Sequence, residues 1–172
     1  VRTAGVLAAL AVAIVLQATL SGMSMAGGTR VNLVLVAVVY VALAFGAVTG
    51  LLAGTAGGLA QDALAGGIVG VGGLSKTIVG FFVGVLGAQF IVSQPVPRFV
   101  MFVGATFVHE LCFQALYALV ESRVFTIQYS AVLLQALVNG AIGVLAFQVV
   151  EGTPGLLQRR HSRGAMFSRR RY

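Results

Sequence analysis

From Val31 to Ala60 the chain runs for thirty residues without a charged side chain. As one helix that stretch would be about 45 Å long, against a hydrocarbon core of about 30 Å. A helix apolar on every side belongs inside a large core or inside a membrane. The composition decides between them. Of 172 residues, 59% are hydrophobic and 9% charged, whereas soluble domains carry about 25% charged residues. Eleven basic and four acidic side chains cannot cover a water-facing surface. A soluble enzyme, a free nucleic-acid binder and a disordered chain are thereby excluded.

The apolar runs read as six transmembrane helices, at about 4–20, 31–45, 46–60, 74–92, 99–120 and 129–150. The expected fold is an all-α integral membrane protein, with a six-helix transmembrane bundle over 1–150 and a basic cytoplasmic tail over 151–172. The charge-free run is too long for one span, so it is divided near Phe45-Gly46. Residues 21–30, the glycine-rich 61–73 and 121–128 form loops. Pro95 and Pro97 make a turn of 93–98, since they forbid a continuous helix there. Gly152-Thr153-Pro154-Gly155 ends the sixth helix. Ser24-Met25-Ala26 resembles a signal-peptide cleavage site, but the apolar stretch before it exceeds the 7–15 residues of a signal core. It reads as a retained first helix.

Six spans put both termini on one side. That side holds Arg2, Arg98 and the tail residues Arg159, Arg160, Arg163, Arg169, Arg170 and Arg171; the other holds Arg30, Lys76 and Arg123. The positive-inside rule then sets both ends in the cytoplasm. The tail arginines serve as a topology determinant, or alternatively as a contact for anionic lipid. No folded basic module surrounds them, so nucleic acid is not expected as a partner.

Small residues recur every four positions. Gly46, Gly50, Gly54 and Gly58 lie along the third helix, Gly80 and Gly84 along the fourth, and Ala4/Ala8 and Ala9/Ala13 along the first. Such spacing keeps a backbone bare on one stripe, so another helix can come close. For the third and fourth helices this reads as packing within the bundle. On the first helix, Ala4, Ala8, Ala9 and Ala13 are candidates to dock a partner's membrane helix, with Phe125 and Tyr129 as a secondary contact.

Catalytic motifs fail on inspection. Gly70 to Thr77 lacks the glycine before lysine of a phosphate loop, and His109-Glu110 lacks a histidine at 113. His109 and Cys112 are too few for a zinc site. No catalytic, cofactor-binding or metal residues are assigned, and Cys112 reads as a small packed hydrophobe. The polar residues inside spans say more. Thr106, Glu110 and Gln114 form one stripe at helical spacing, and Gln135 and Asn139 another. A hairpin closing around 124–125 sets Glu110 beside Asn139 and Gln114 beside Gln135. These four make an interhelical clamp, or alternatively a proton or ligand site. Asp62 and Lys76 flank the glycine loop and are expected to pair across its mouth as an exposed latch.

Residues 30–87 carry a resemblance. Arg30-Val31-Asn32-Leu33 leads through Tyr40 to Gly50 and Gly58; then come Gln61-Asp62, Gly66, Gly70, and Gly73-Leu74-Ser75-Lys76-Thr77. With Val138-Asn139-Gly140 in the last span, this resembles the bacterial rod shape-determining family MreD, whose motif falls here on Asp62, Gly66, Gly70 and Lys76. The arginine tail departs from it. The resemblance implies a fold similar to the substrate-binding component of energy-coupling-factor transporters. It also implies a non-enzymatic scaffold of the cell-elongation complex without cofactors. The expected partner is a single-span MreC-like protein, and through it MreB, RodA, a penicillin-binding transpeptidase and peptidoglycan synthesis. The alternative is a vitamin-type substrate-binding subunit of a transporter. The absence of Trp and the small aliphatic loop 61–73 weigh against a polar pocket and for the scaffold.

Overall fold

The computed structural model describes residues 2–20, 31–66, 68–90, 94–122 and 128–168, with Arg2 and 152–168 as backbone only. These form six helices: α1 (Arg2–Leu20), α2 (Leu33–Phe45), α3 (Ala47–Ala65), α4 (Val71–Gln89), α5 (Pro95–Glu121) and α6 (Tyr129–Ser168). The protein is an all-α membrane bundle. Its outer surface is apolar, with Leu7, Val48, Leu52, Phe82, Val100 and Val149 all exposed. That arrangement suits lipid, where each backbone polar group must be satisfied inside its own helix.

α2 is the axis. It touches each of the other five helices. Its five valines are buried, and a β-branched run of this kind would favour strand in water. In an apolar medium only the helix satisfies the backbone within the segment. Leu35, Val36, Val39 and Ala42 of α2 pack with Val79 and Val83 of α4, Phe102 and Ala105 of α5, and Phe147 of α6. On its other side Val38 and Val41 meet Leu10 of α1 and Ala53 of α3. At 13 residues, α2 is about 20 Å long, short of a full crossing. α1, α4, α5 and the Tyr129–Glu151 part of α6 are long and apolar enough to cross a membrane.

The division at Phe45-Gly46 stands, and one residue makes the turn. Gly46 N–H donates to Ala42 O at 2.9 Å, and its carbonyl accepts from Gly50 N–H at 3.0 Å. Its φ of 91° is open to glycine and costly to other residues. Gly46 is therefore a turn residue with open space around it, not part of the packing stripe.

Other boundaries move. α3 runs on to Ala65, so Gln61 and Asp62 lie in its last turns rather than in a loop, and α4 begins at Val71. α5 starts at Pro95 instead of 99. Pro95 and Pro97 occupy its first turn, where the missing N–H groups have no intrahelical partner to lose. α6 continues through Gly152-Thr153-Pro154-Gly155 to Ser168, across the expected start of the tail.

Gly50, Gly54 and Gly58 bring α3 against the backbone of α4. A Cβ at Gly58 would lie 2.5 Å from Gly73 Cα, one at Gly54 2.6 Å from the Lys76 carbonyl carbon, and one at Gly80 2.7 Å from the Gly50 carbonyl carbon. Gly84 meets the start of α3, 2.8 Å from the Gly46 carbonyl carbon by the same construction. Gly58→Ala is accordingly expected to cost about 1–3 kcal/mol through overpacking. Gly104→Ala, in open space on α5, is expected to hold or raise the midpoint. Melting of the two purified variants in detergent checks this; equal midpoints would refute the close-approach account.

Candidate functional site

Polar side chains from five helices converge inside the bundle around the start of α2. Asn32 caps that helix: its Oδ1 accepts the Leu35 N–H at 3.0 Å. An Asn before an apolar helix serves in this way because the first N–H groups have no partner of their own. The Asn32 N–H donates to Asn139 Oδ1 of α6 at 3.2 Å, and Asn32 Nδ2 meets His109 Nε2 of α5 at 3.2 Å. Asn139 Nδ2 donates to Thr106 Oγ1 at 3.4 Å, and that hydroxyl donates to Phe102 O at 2.9 Å. Asn139, Thr106 and His109 are all but sealed from the surface. One cap thus ties α2, α5 and α6 together.

The stripes expected on α5 and α6 do face each other, but one turn out of register. Gln135 Nε2 donates to Glu110 Oε1 at 3.0 Å, and Asn139 pairs with Thr106. Glu110 is not beside Asn139, nor is Gln114 the partner of Gln135; Gln114 instead sits near the Glu110 carboxylate. The reason is that α5 runs to Glu121 and overhangs the start of α6 by about a turn, so the two helices do not end level. Neither Asn32 nor His109 was singled out for this network. The cap signal was present in the sequence, an Asn immediately before a charge-free run. His109 shares the Thr106 face, whereas its sequence neighbours point only to metal motifs, with Glu110 and with Cys112, which is half-buried.

Asp62 and Lys76 form no exposed latch. Both are buried. Asp62 reaches from the last turns of α3 to the start of α4, where its Oδ2 accepts the Gly70 N–H at 2.9 Å and the Gly73 N–H at 3.0 Å. A carboxylate there is favoured by the free N–H groups and the positive end of the helix dipole. Gly66 and Gly70 take φ of 68° and 108°, which lets the chain turn tightly enough to bring this about. Lys76, 2% exposed, lies one turn further along α4, close enough to Asp62, His109 and Glu110 to interact electrostatically with each.

A second polar contact lies at the other end of α5. Arg98, counted above only as a topology charge, is buried and grips Glu151 with two hydrogen bonds of 2.7 and 2.6 Å. Its guanidinium stacks over Phe147 at 4.3 Å, and Phe147 contacts Tyr40 at 4.4 Å between ring centroids. Two donors matched to two carboxylate oxygens give this pair its orientation.

The α1 alanines divide. Ala13 is buried and Ala9 partly so, whereas Ala4 and Ala8 are exposed. α1 rests on α2 and α3 and is tied by Gln17, which donates to Val31 O at 2.9 Å and accepts the Leu33 N–H at 2.7 Å. Tyr129 is exposed; Phe125, Arg30, Arg123 and the last three tail arginines lie outside the described residues.

The Asn32 network predicts coupled losses. Asn32→Ala removes a cap worth about 1 kcal/mol and the interhelical contact with His109, worth about 0.6 kcal/mol, while its backbone N–H still donates to Asn139. Asn139→Ala should cost at least as much, since it removes two contacts and leaves the buried Asn32 N–H unpaired. A double-mutant cycle of Asn32→Ala with His109→Phe, followed by denaturant melting, should be non-additive; strict additivity would break the link between these two side chains.

The family model for the rod shape-determining protein MreD matches residues 3–152. No match was found among curated proteins or among solved structures.

Proposed function

Since the chain belongs to the MreD family of rod shape-determining proteins, we propose that it is a non-enzymatic scaffold of the inner membrane. It binds the membrane helix of a single-span MreC-like protein. Through that partner it helps to organise MreB, RodA and a penicillin-binding transpeptidase for peptidoglycan synthesis.

The observation that carries this reading is the two-faced packing of α1. Leu10 and Ala13 turn inward, with Leu10 against the Gly57 position of α3. Ala4 and Ala8, one turn apart, stay uncovered beside Leu7. Membrane helices associate by close backbone approach and van der Waals contact, because lipid offers no hydrophobic drive between them. An uncovered pair of small residues on an edge helix suits that mode. Glu110, already hydrogen-bonded to Gln135, serves the bundle rather than a transported substrate.

Ala8→Leu should abolish co-purification with the MreC-like partner and round the cells, with the melting temperature unchanged. Ala13→Leu should instead lower the melting temperature by overpacking. Normal partner binding by Ala8→Leu would overturn the docking face.

Both termini are proposed to be cytoplasmic, from the distribution of basic residues. Single cysteines at Ser24 and Ser168 in a Cys112→Ala background test this with an impermeant reagent on intact cells. Ser24→Cys should be labelled and Ser168→Cys should not; the reverse result inverts the topology.

A further inference from the structure

Beyond Glu151, α6 continues as helix to Ser168. At about 100° per residue, its positions from 156 onward sort onto two halves of the helix. Arg159, Arg160 and Arg163 fall on one half. Leu156, Leu157, Met166 and Phe167 fall on that same half, with Gly164. Gln158, His161, Ser162, Ala165 and Ser168 hold the other, which has neither an arginine nor a large apolar residue. A helix on the surface of a soluble protein sets its charges opposite its apolar residues. A half that is cationic and apolar at once fits a boundary where hydrocarbon meets anionic headgroups. There an arginine stem lies along apolar groups while the guanidinium stays at the polar layer. A topology determinant needs only a number of basic residues near the membrane and is indifferent to their face.

The start of this segment is fixed. Arg98 of α5 donates to Glu151 in two hydrogen bonds of 2.7 and 2.6 Å. The part of α6 apolar enough to cross a membrane ends at that glutamate. Gly152-Thr153-Pro154-Gly155 follows. Pro154 offers no N–H to the Val150 carbonyl, and glycine and proline are the weakest helix formers, so bending costs least here. Distance decides what a bend achieves. Continued straight, residue 163 stands about 18 Å beyond Glu151, whereas surface charge is screened within about 8 Å at physiological salt. A bend at 152–155 brings the arginines back to the surface.

We propose that residues 156–168 form a surface helix, which bends at 152–155 and lays its arginine-bearing half on anionic lipid around the end of the bundle. The guanidinium groups meet lipid phosphates through paired donors, and the apolar residues of the same half seat below them. This contact requires neither docking at α1 nor a particular side of the membrane for the tail, so its failure leaves both of those readings standing.

The test uses the full chain in nanodiscs of phosphatidylcholine, alone or with an equal part of phosphatidylglycerol. A fluorophore is carried on Gly164→Cys or on Ala165→Cys in a Cys112→Ala background; these neighbours in sequence lie on opposite halves. Quenching by lipid spin-labelled at the headgroup reads proximity to the surface. The Gly164→Cys label should be quenched several-fold more with phosphatidylglycerol than without it, and more than the Ala165→Cys label. Added salt should release it. Arg160→His with His161→Arg, and Ser162→Arg with Arg163→Ser, together keep the composition and move two arginines to the other half. This exchange should lower the bound-to-free ratio about fivefold or more, with the melting midpoint of the bundle unchanged. Gly152→Ala, Pro154→Ala and Gly155→Ala together favour a straight helix and should lower the ratio as well; full quenching in that variant would refute the bend. Equal quenching in the two bilayers, or no effect of the arginine exchange, overturns the lipid contact. So does a label that stays unquenched in both bilayers and is shielded only on adding the MreC-like protein, which would make this half a protein contact.

Discussion

The close backbone approach of α3 and α4 is the contact on which the rest depends. In a bilayer, apolar side chains gain little by leaving lipid for one another, so a helix pair must hold through short-range contact. Gly50, Gly54, Gly58 and Gly80 permit that contact by leaving no side chain between the two backbones. With the helices this near, Asp62 can reach across and satisfy the first turn of α4, and Lys76 comes to lie inside the bundle. α2 then lies across the pair, and the Asn32 cap fastens α5 and α6 onto it. Each polar bond in the interior thus presupposes an apolar contact that needs small residues.

Much of this was legible in the sequence, and the errors share a cause. The turn at Gly46 followed from length alone, because thirty charge-free residues exceed one crossing. The helical faces of Thr106, Glu110 and Gln114, and of Gln135 and Asn139, followed from four-residue spacing. Their register did not, since spacing says nothing of where two helices end relative to each other, and α5 overhangs α6. Asp62 was misread because a charge beside a glycine run looks like loop, while its acceptors are backbone N–H groups that no residue letter displays. The prolines at 95 and 97 read as a turn in sequence, whereas their place in the first turn of α5 makes them a helix start. Arg98 illustrates the same limit: whether an arginine at a helix end faces water or a carboxylate 53 residues away depends on packing.

Two kinds of residue therefore divide the labour. The inward small residues and amides determine how six helices share one interior, and they explain why so polar a cluster is tolerated among so many valines. The outward face of α1 contributes little to that interior. Family membership supplies the role in rod shape.

The junction at Asp62 has a consequence for how the chain can be assembled. Side-by-side glycine contacts and a carboxylate reaching over the turn tie α3 to α4, and of these only the bond from Gly70 N–H to Asp62 uses the chain between Gly66 and Gly70. A molecule severed between Gly66 and Val69, with α1–α3 and α4–α6 as separate polypeptides, would keep the glycine contacts and the bond from Gly73 N–H to Asp62. Most of the recognition between the halves thus resides in the helices themselves.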